Sequence, residues 1–221
     1  APEAIAAIAE GQRAEGVILI PGGLDEKPES APLVARMRQA IADSRATTWG
    51  GPATRAAEEE LAHLACAPFR PARQPKLLFA GLGLGHALAA AAAELKQKRG
   101  TFIVAEPLAA LPEWHRRHLP ESPLLTDPRV VLEDDCGPAA LARKAGTLHA
   151  ILLHLDASPA GPGNRPLTDD RRWLAAAYEA LQAGGLLAIA GSRPVTNLTR
   201  KLQRCGFEVA EFTVPASPNA K

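Results

Sequence analysis

The chain has 221 residues, 47% hydrophobic and 22% charged, enough for one large domain with a buried core and unlike a disordered chain. Its 25 basic and 24 acidic residues leave a net charge of +1, so no long-range field draws nucleic acid, and pairs such as Arg116-Arg117 and Arg171-Arg172 read as solvated helix faces. No apolar run reaches the ~20 residues of a membrane span and the N-terminus lacks a signal-peptide pattern. The scattered cysteines Cys66, Cys136 and Cys205 suit reduced thiols, which gives the expectation of a cytoplasmic protein with no membrane or nucleic-acid partner.

Residues 1–50 read as a short appendage, with a strand at Val17-Ile18-Leu19-Ile20, a turn at Pro21-Gly22-Gly23 and a helix over 32–42. A helix is expected over 54–66, where Ala57, Leu61, Leu64 and Ala65 recur at helical spacing, and 68–75 reads as a linker. From there strands and helices alternate. Strands are expected at 77–80, 102–105, 130–132, 150–155, 186–190 and 207–214, and helices at 86–98, 111–118, 138–145, 169–182 and 197–205.

Apolar strands interleaved with helices predict an α/β domain over 51–221, built on a doubly wound, mostly parallel sheet with helices on both faces. Ligands of such sheets bind beyond the carboxyl ends of the strands, which makes the residues after each strand the first candidates. After the first core strand comes Gly81-Leu82-Gly83-Leu84-Gly85, a turn in which Gly81, Gly83 and Gly85 let main chain approach a ligand beside a helix N-terminus. Glu106 ends the next strand, where nucleotide-binding sheets place a carboxylate for the ribose hydroxyls. Asp135, after the third strand, is a candidate acceptor for the exocyclic amine of adenine and equally a cap for the helix starting at Pro138, with Asp134 competing for both roles. The spacing GxGxG, in place of GxGxxG, favours an S-adenosylmethionine-type ligand over NAD and leaves an NAD-dependent oxidoreductase as the last-ranked reading. His115 and His118 lack a third donor at matching spacing, so no metal is expected. Trp114 and His118 are candidates for lining an adenosine pocket, and Trp173 and Tyr178 for core or rim packing.

Leu78 to Gly85, Glu106, Asp127-Pro128-Arg129-Val130, Asp135, Ala150 to Gly161 and Leu181-Gln182-Ala183-Gly184-Gly185 together resemble spermidine synthase-like proteins. The likeness runs from about Ser44 to Val214, including Glu58-Glu59-Glu60-Leu61-Ala62 and the Arg200 to Val209 segment with Gly206-Phe207. It implies the class I methyltransferase fold, S-adenosylmethionine or its decarboxylated form as cofactor, a small-molecule acceptor and a homodimer. It also assigns Gly81, Gly83 and Gly85 to the cofactor turn, Glu106 to the ribose and Asp135 to the adenine. Two acids of the family pattern are missing: Leu84 stands where an aspartate would hold the cofactor's amine, and His154, or Leu155 if the loop is aligned on Pro159, where another would help deprotonate the acceptor. His154, whose unperturbed pKa is near 6.5, is the candidate substitute base, and Asp156 is the one acid left in that loop. The loss of those acids also admits a relative that binds a nucleoside without turning it over.

Overall fold

The computed structural model describes residues 7–8, 17–18, 52–118, 123–155, 165–191 and 197–211. Near the N-terminus, Ala7–Ile8 (β1) pairs antiparallel with Val17–Ile18 (β2); the helix expected over 32–42 lies outside the described residues.

Pro52–Cys66 forms α1, with proline at the first helical position, where its missing N–H is not needed. The inward face of α1 is Glu58, Leu61, Ala62 and Ala65, an i, i+3, i+4, i+7 stripe with a carboxylate at its head. Leu64, expected on that face, is 37% exposed. The helix is rotated relative to the expectation, so that Glu58 meets the start of α2, where it accepts the Ala87 N–H.

The sheet is made of β3 (Lys76–Ala80), β4 (Thr101–Ala105), β5 (Val130–Glu133), β6 (Leu148–His154) and β7 (Leu181–Ala190). They lie in the order β5-β4-β3-β6-β7, and every pairing is parallel. Between them run α2 (His86–Glu94), α3 (Ala110–His118), α4 (Pro138–Ala142) and α5 (Arg171–Ala180), with α6 (Leu198–Arg204) after β7. Leu77, Phe79, Phe102 and Val104 pack on one face with α1, α2 and α3, while Leu78, Ala80, Ile103 and Ala105 pack on the other with α4, α5 and α6. Burial on both faces explains why these strands are apolar without alternation. Trp173 of α5 is fully buried and donates its indole N–H to the Cys136 carbonyl at 2.8 Å.

Several elements end earlier than the sequence suggests. α2 stops at Glu94, not 98, and Arg129 takes the carbonyls its end leaves over: its guanidinium donates to Leu95 O and, at 3.3 Å, to Ala92 O. Asp127 holds that guanidinium at 2.7 Å, and the ring of Phe102 lies 4.8 Å beneath it. These hydrogen bonds from Arg129 lower the Asp127 pKa. The family-like Asp127-Pro128-Arg129 segment is thus an inter-element clamp. α4 closes at Ala142, and α5 ends at Ala180, so that β7 begins at Leu181 and Gln182 is strand. A register shift between Leu148 and Ala150 absorbs Gly184 (φ 74°) and Gly185, where a Cβ would come within 2.9 Å of the Gln182 carbonyl.

Residues 207–211, expected to open a final strand, are not strand: the Phe207 N–H returns to Leu202 O at 3.2 Å and its ring packs edge-on to Tyr178. Among the described residues no helix is long and apolar enough to cross a membrane.

Candidate functional site

The chain runs from β3 outward through β4 to β5 and then crosses to β6 on the other side of β3, so the strand order reverses between β3 and β6. A crevice opens at such a reversal because the neighbouring connections leave in opposite directions. The glycine turn after β3 and His154 at the end of β6 stand at this point.

Gly81, Gly83 and Gly85 take φ values of 105°, 54° and 80°, a bend that side chains at all three positions would strain. The Gly81 N–H donates to the Ala105 carbonyl at 3.0 Å, tying the turn to the end of β4. Gly85 caps α2, and a Cβ there would come within 2.9 Å of Leu124 Cδ1 and 3.5 Å of His115 Cε1. Packing therefore accounts for Gly85. His115, buried on α3, donates through Nε2 to the Gly83 carbonyl at 2.8 Å. Because a carbonyl can only accept, Nε2 carries the proton, and burial lowers the pKa so that the ring stays neutral.

Glu106 is buried, and both its oxygens are fixed by main chain: Oε2 accepts from Leu82 N–H in the turn and Oε1 from Leu108 N–H, each at 3.0 Å. It borders a cleft of about 600 Å3, within the range of small-molecule sites, that also contains Asp134 and Asp135. Ala109, Pro112 and Leu132 supply apolar wall; Lys144 is held at 2.7 Å by Glu133. The exposed Asp135, which also lines the cleft, accepts the Gly137 N–H through Oδ1 at 2.6 Å, closing the chain into α4. Trp114 is buried in the core, edge-on to His115, and does not line this cleft.

Beneath the turn lies a second, much smaller space. It holds about 20 Å3, room for one water-sized group, and its wall includes Gly81, Leu82, Gly83, Ala87, Glu58 and His154. Glu58 and His154 are 4% and 8% exposed. Glu58 Oε2 accepts the Ala87 N–H at 3.2 Å, and burial raises its pKa to about 7 against opposing hydrogen bonds from the Ala87 and His86 main chain.

Glu106 and Asp135 therefore share the cleft, Gly81, Gly83 and His154 share the cavity, and Leu82 joins the two, lining the cavity while its N–H holds Glu106. Asp156 lies outside the described residues, as does the side chain of His118. Sequence reasoning missed Glu58 and His115 as site residues. The signal for Glu58 was present as an acid at the head of an apolar stripe; that for His115 was not, since its partner is a backbone atom of a distant turn. Burial pushes the thiols of Cys66 and Cys136 up to about 12, which leaves them unreactive. Among the described residues no group of three or more His, Cys, Asp or Glu is placed to hold a metal ion.

A five-stranded parallel sheet reversing at its glycine turn, with an acid at the end of the neighbouring strand, is the class I methyltransferase fold. The crystal structure of spermidine synthase from Thermotoga maritima aligns over 68% of this chain and 51% of its own, at 19% identity and a TM-score of 0.53. A spermidine synthase in complex with the transition state analogue AdoDATO aligns over 68% and 52%, at 19% identity and a TM-score of 0.54. The chain spans about half the length of these two proteins, and at this identity the likeness is one of fold. No protein-family model and no curated protein sequence matches it.

Proposed function

We propose that the chain binds an adenosyl sulfonium cofactor, S-adenosylmethionine or its decarboxylated form, at the carboxyl edge of the sheet and transfers an alkyl group to a small acceptor. The observation that carries this reading is Glu106, a buried carboxylate fixed by two main-chain N–H groups yet bordering an open cleft. Carboxylate oxygens accept from hydroxyls, and a side chain already fixed by main chain presents them to a ribose with little reorganisation. Asp135, Glu106, the turn and His154 end four consecutive strands of the sheet. At ~4.8 Å between strands, that row spans roughly 14 Å, matching adenosine with a short side chain.

When bound, such a cofactor supplies an alkyl group on a positively charged sulfur: a lone pair on the acceptor forms the new bond as the carbon–sulfur bond breaks, and sulfur leaves as a neutral thioether. The residues of this chain need only orient, desolvate and move a proton. Leu132, Pro112 and Ala109 receive the purine face, Asp135 accepts its exocyclic amine, and Glu106 sets the ribose. His154, across the turn from Glu106, takes the proton an amine acceptor must lose.

Titration calorimetry with S-adenosylmethionine and 5′-methylthioadenosine tests this. Both should bind, and Glu106→Ala should weaken each by about 1–3 kcal/mol, the scale of lost hydrogen bonds to a charged group. Unchanged affinity in the variant removes the pocket assignment. Binding with no transfer of label to a panel of amines would make the chain a nucleoside-binding relative without turnover.

A further inference from the structure

The cleft that receives the adenosine in the reading above is bordered by a buried cation. Lys144, two residues past the end of α4, is 8% exposed and lines the cleft together with Asp134 and Asp135. Burying an ammonium costs several kcal/mol unless it is paired and hydrogen-bonded. Its Nζ donates to Glu133 Oε2 at 2.7 Å and to the Ala140 carbonyl at 3.4 Å. The main chain at Lys144 is fixed as well: its N–H donates to Leu141 O at 2.8 Å, and its carbonyl accepts the Thr147 N–H at 3.0 Å and the Thr147 hydroxyl at 2.8 Å. Arg116 and Arg143 also border the cleft, but from exposed positions. A cation placed as they are could tie β5 to α4 without the cost of burial, so the tie alone does not explain why Lys144 is buried.

An ammonium has three N–H donors, and the bonds to Glu133 and Ala140 use two of them. The third is available to a ligand of the cleft that Lys144 lines. Glu133 ends β5, and Asp135, to which the adenosyl reading gives the exocyclic amine, follows two positions later. A fixed donor and an acceptor therefore stand at the same end of the cleft. Adenine offers the complementary edge, because its amine, a donor, is flanked by the ring nitrogens N1 and N7, which are acceptors. We infer that Lys144 selects the base of the bound nucleoside: its ammonium, held on Glu133, donates to a ring nitrogen beside the exocyclic amine of adenine. Resting on the adenosyl reading above, this makes Lys144 a specificity-determining residue and Glu133 the positioning residue that acts through it. A base with carbon at that place leaves a buried ammonium one partner short, and an unmet buried donor costs more than an exposed one.

Titration calorimetry with 5′-methylthioadenosine and its 1-deaza and 7-deaza analogues, in which C–H replaces N1 or N7, isolates single ring atoms while keeping the amine and the sugar. The wild-type chain should bind one of the two analogues about tenfold or more weaker than the parent, the scale of one hydrogen bond to a charged group. Lys144→Met keeps the apolar stem, and it should bring the ratio of parent to that analogue close to one. Should the Glu133 charge left behind unsettle the fold, the double variant Glu133→Gln with Lys144→Met removes both charges and reads the same ratio. A Lys144 that only ties β5 to α4 would weaken all three compounds alike and leave the ratio at its wild-type value, which would overturn the inference. Equal affinity of the wild-type chain for the three compounds would overturn it too, with no variant needed, and in both cases the adenosine pocket stands. Failure of methylthioadenosine itself to bind the wild-type chain would overturn the pocket, and this inference with it.

Discussion

The cleft beyond β4 and β5 and the cavity beneath the glycine turn are joined through Leu82, and each contains one buried carboxylate. Glu106 faces about 600 Å3 and is held by two N–H groups from loops; Glu58 faces about 20 Å3 and is held by the start of α2. The first arrangement leaves an acid ready for ligands that bring hydroxyls and remain partly solvated. The second leaves an acid in largely apolar surroundings, with its pKa raised to about 7 by burial. Two similar side chains are thus set to different tasks by the size of the space in front of them.

The comparison breaks most completely at Gly83, which is buried in the turn between the two acids and whose carbonyl is held by His115. Aspartate and asparagine share whatever strain a φ of 54° imposes, so what sets Gly83→Asp apart is charge: a third carboxylate buried near Glu58 and Glu106 should cost about 3–5 kcal/mol in urea unfolding and abolish nucleoside binding. Gly83→Asn has the same shape without the charge and should cost much less. Equal losses in the two would mean that space, not charge, governs the turn.

The next largest effect sharpens the contrast at Glu58. The folded chain keeps its proton up to about 7 against an ordinary 4.5, so below 4.5 both folded and unfolded states hold the proton and nothing is lost. Between those values only the unfolded state ionises, and stability falls as pH rises, reaching a deficit of about 3 kcal/mol above pH 7. His86 and His115, with pKa values lowered by burial, slope the other way, because the unfolded state takes up their protons first. The difference between wild type and Glu58→Gln, from urea unfolding at several pH values, isolates the carboxylate. Parallel curves from pH 5 to 8 would show that Glu58 is not desolvated in the folded chain.

The five core strands and the row of residues at their ends were legible in the sequence because burial on two faces leaves long apolar runs, and because Gly81 and Glu106 follow such runs directly. Boundaries were less so. The end of α2 depends on Arg129, thirty-odd positions away, and the start of β7 depends on how Gly184 and Gly185 fit against β6. Leu64 and Glu58 changed places relative to the expected face of α1, because hydrophobicity alone ranks a leucine inside and a glutamate outside. Only the α2 N-terminus, which gives that glutamate hydrogen-bond partners, makes the reverse arrangement stable. Gly85 was read as a ligand contact, and its neighbours Leu124 and His115 give it a packing reason as well.

The smallest effect concerns the far end of the cleft, where Asp135 is exposed and already spends one oxygen on the Gly137 N–H at 2.6 Å. Asp135→Asn should keep that bond, since the N–H fixes the amide oxygen there and leaves the NH2 group in place of the second oxygen. An acceptor then becomes a donor. A purine with an exocyclic amine meets a second donor, whereas one with a carbonyl at that position gains a partner. Adenosine binding should weaken by about 1 kcal/mol, the ordinary worth of an accessible hydrogen bond, and the matching inosine compound should bind more tightly than it does to wild type. Competition between 5′-methylthioadenosine and 5′-methylthioinosine reads the exchange directly. If the variant keeps the wild-type ratio, Asp135 only closes the turn into α4, and the base is recognised by the apolar walls of Leu132 and Pro112 alone.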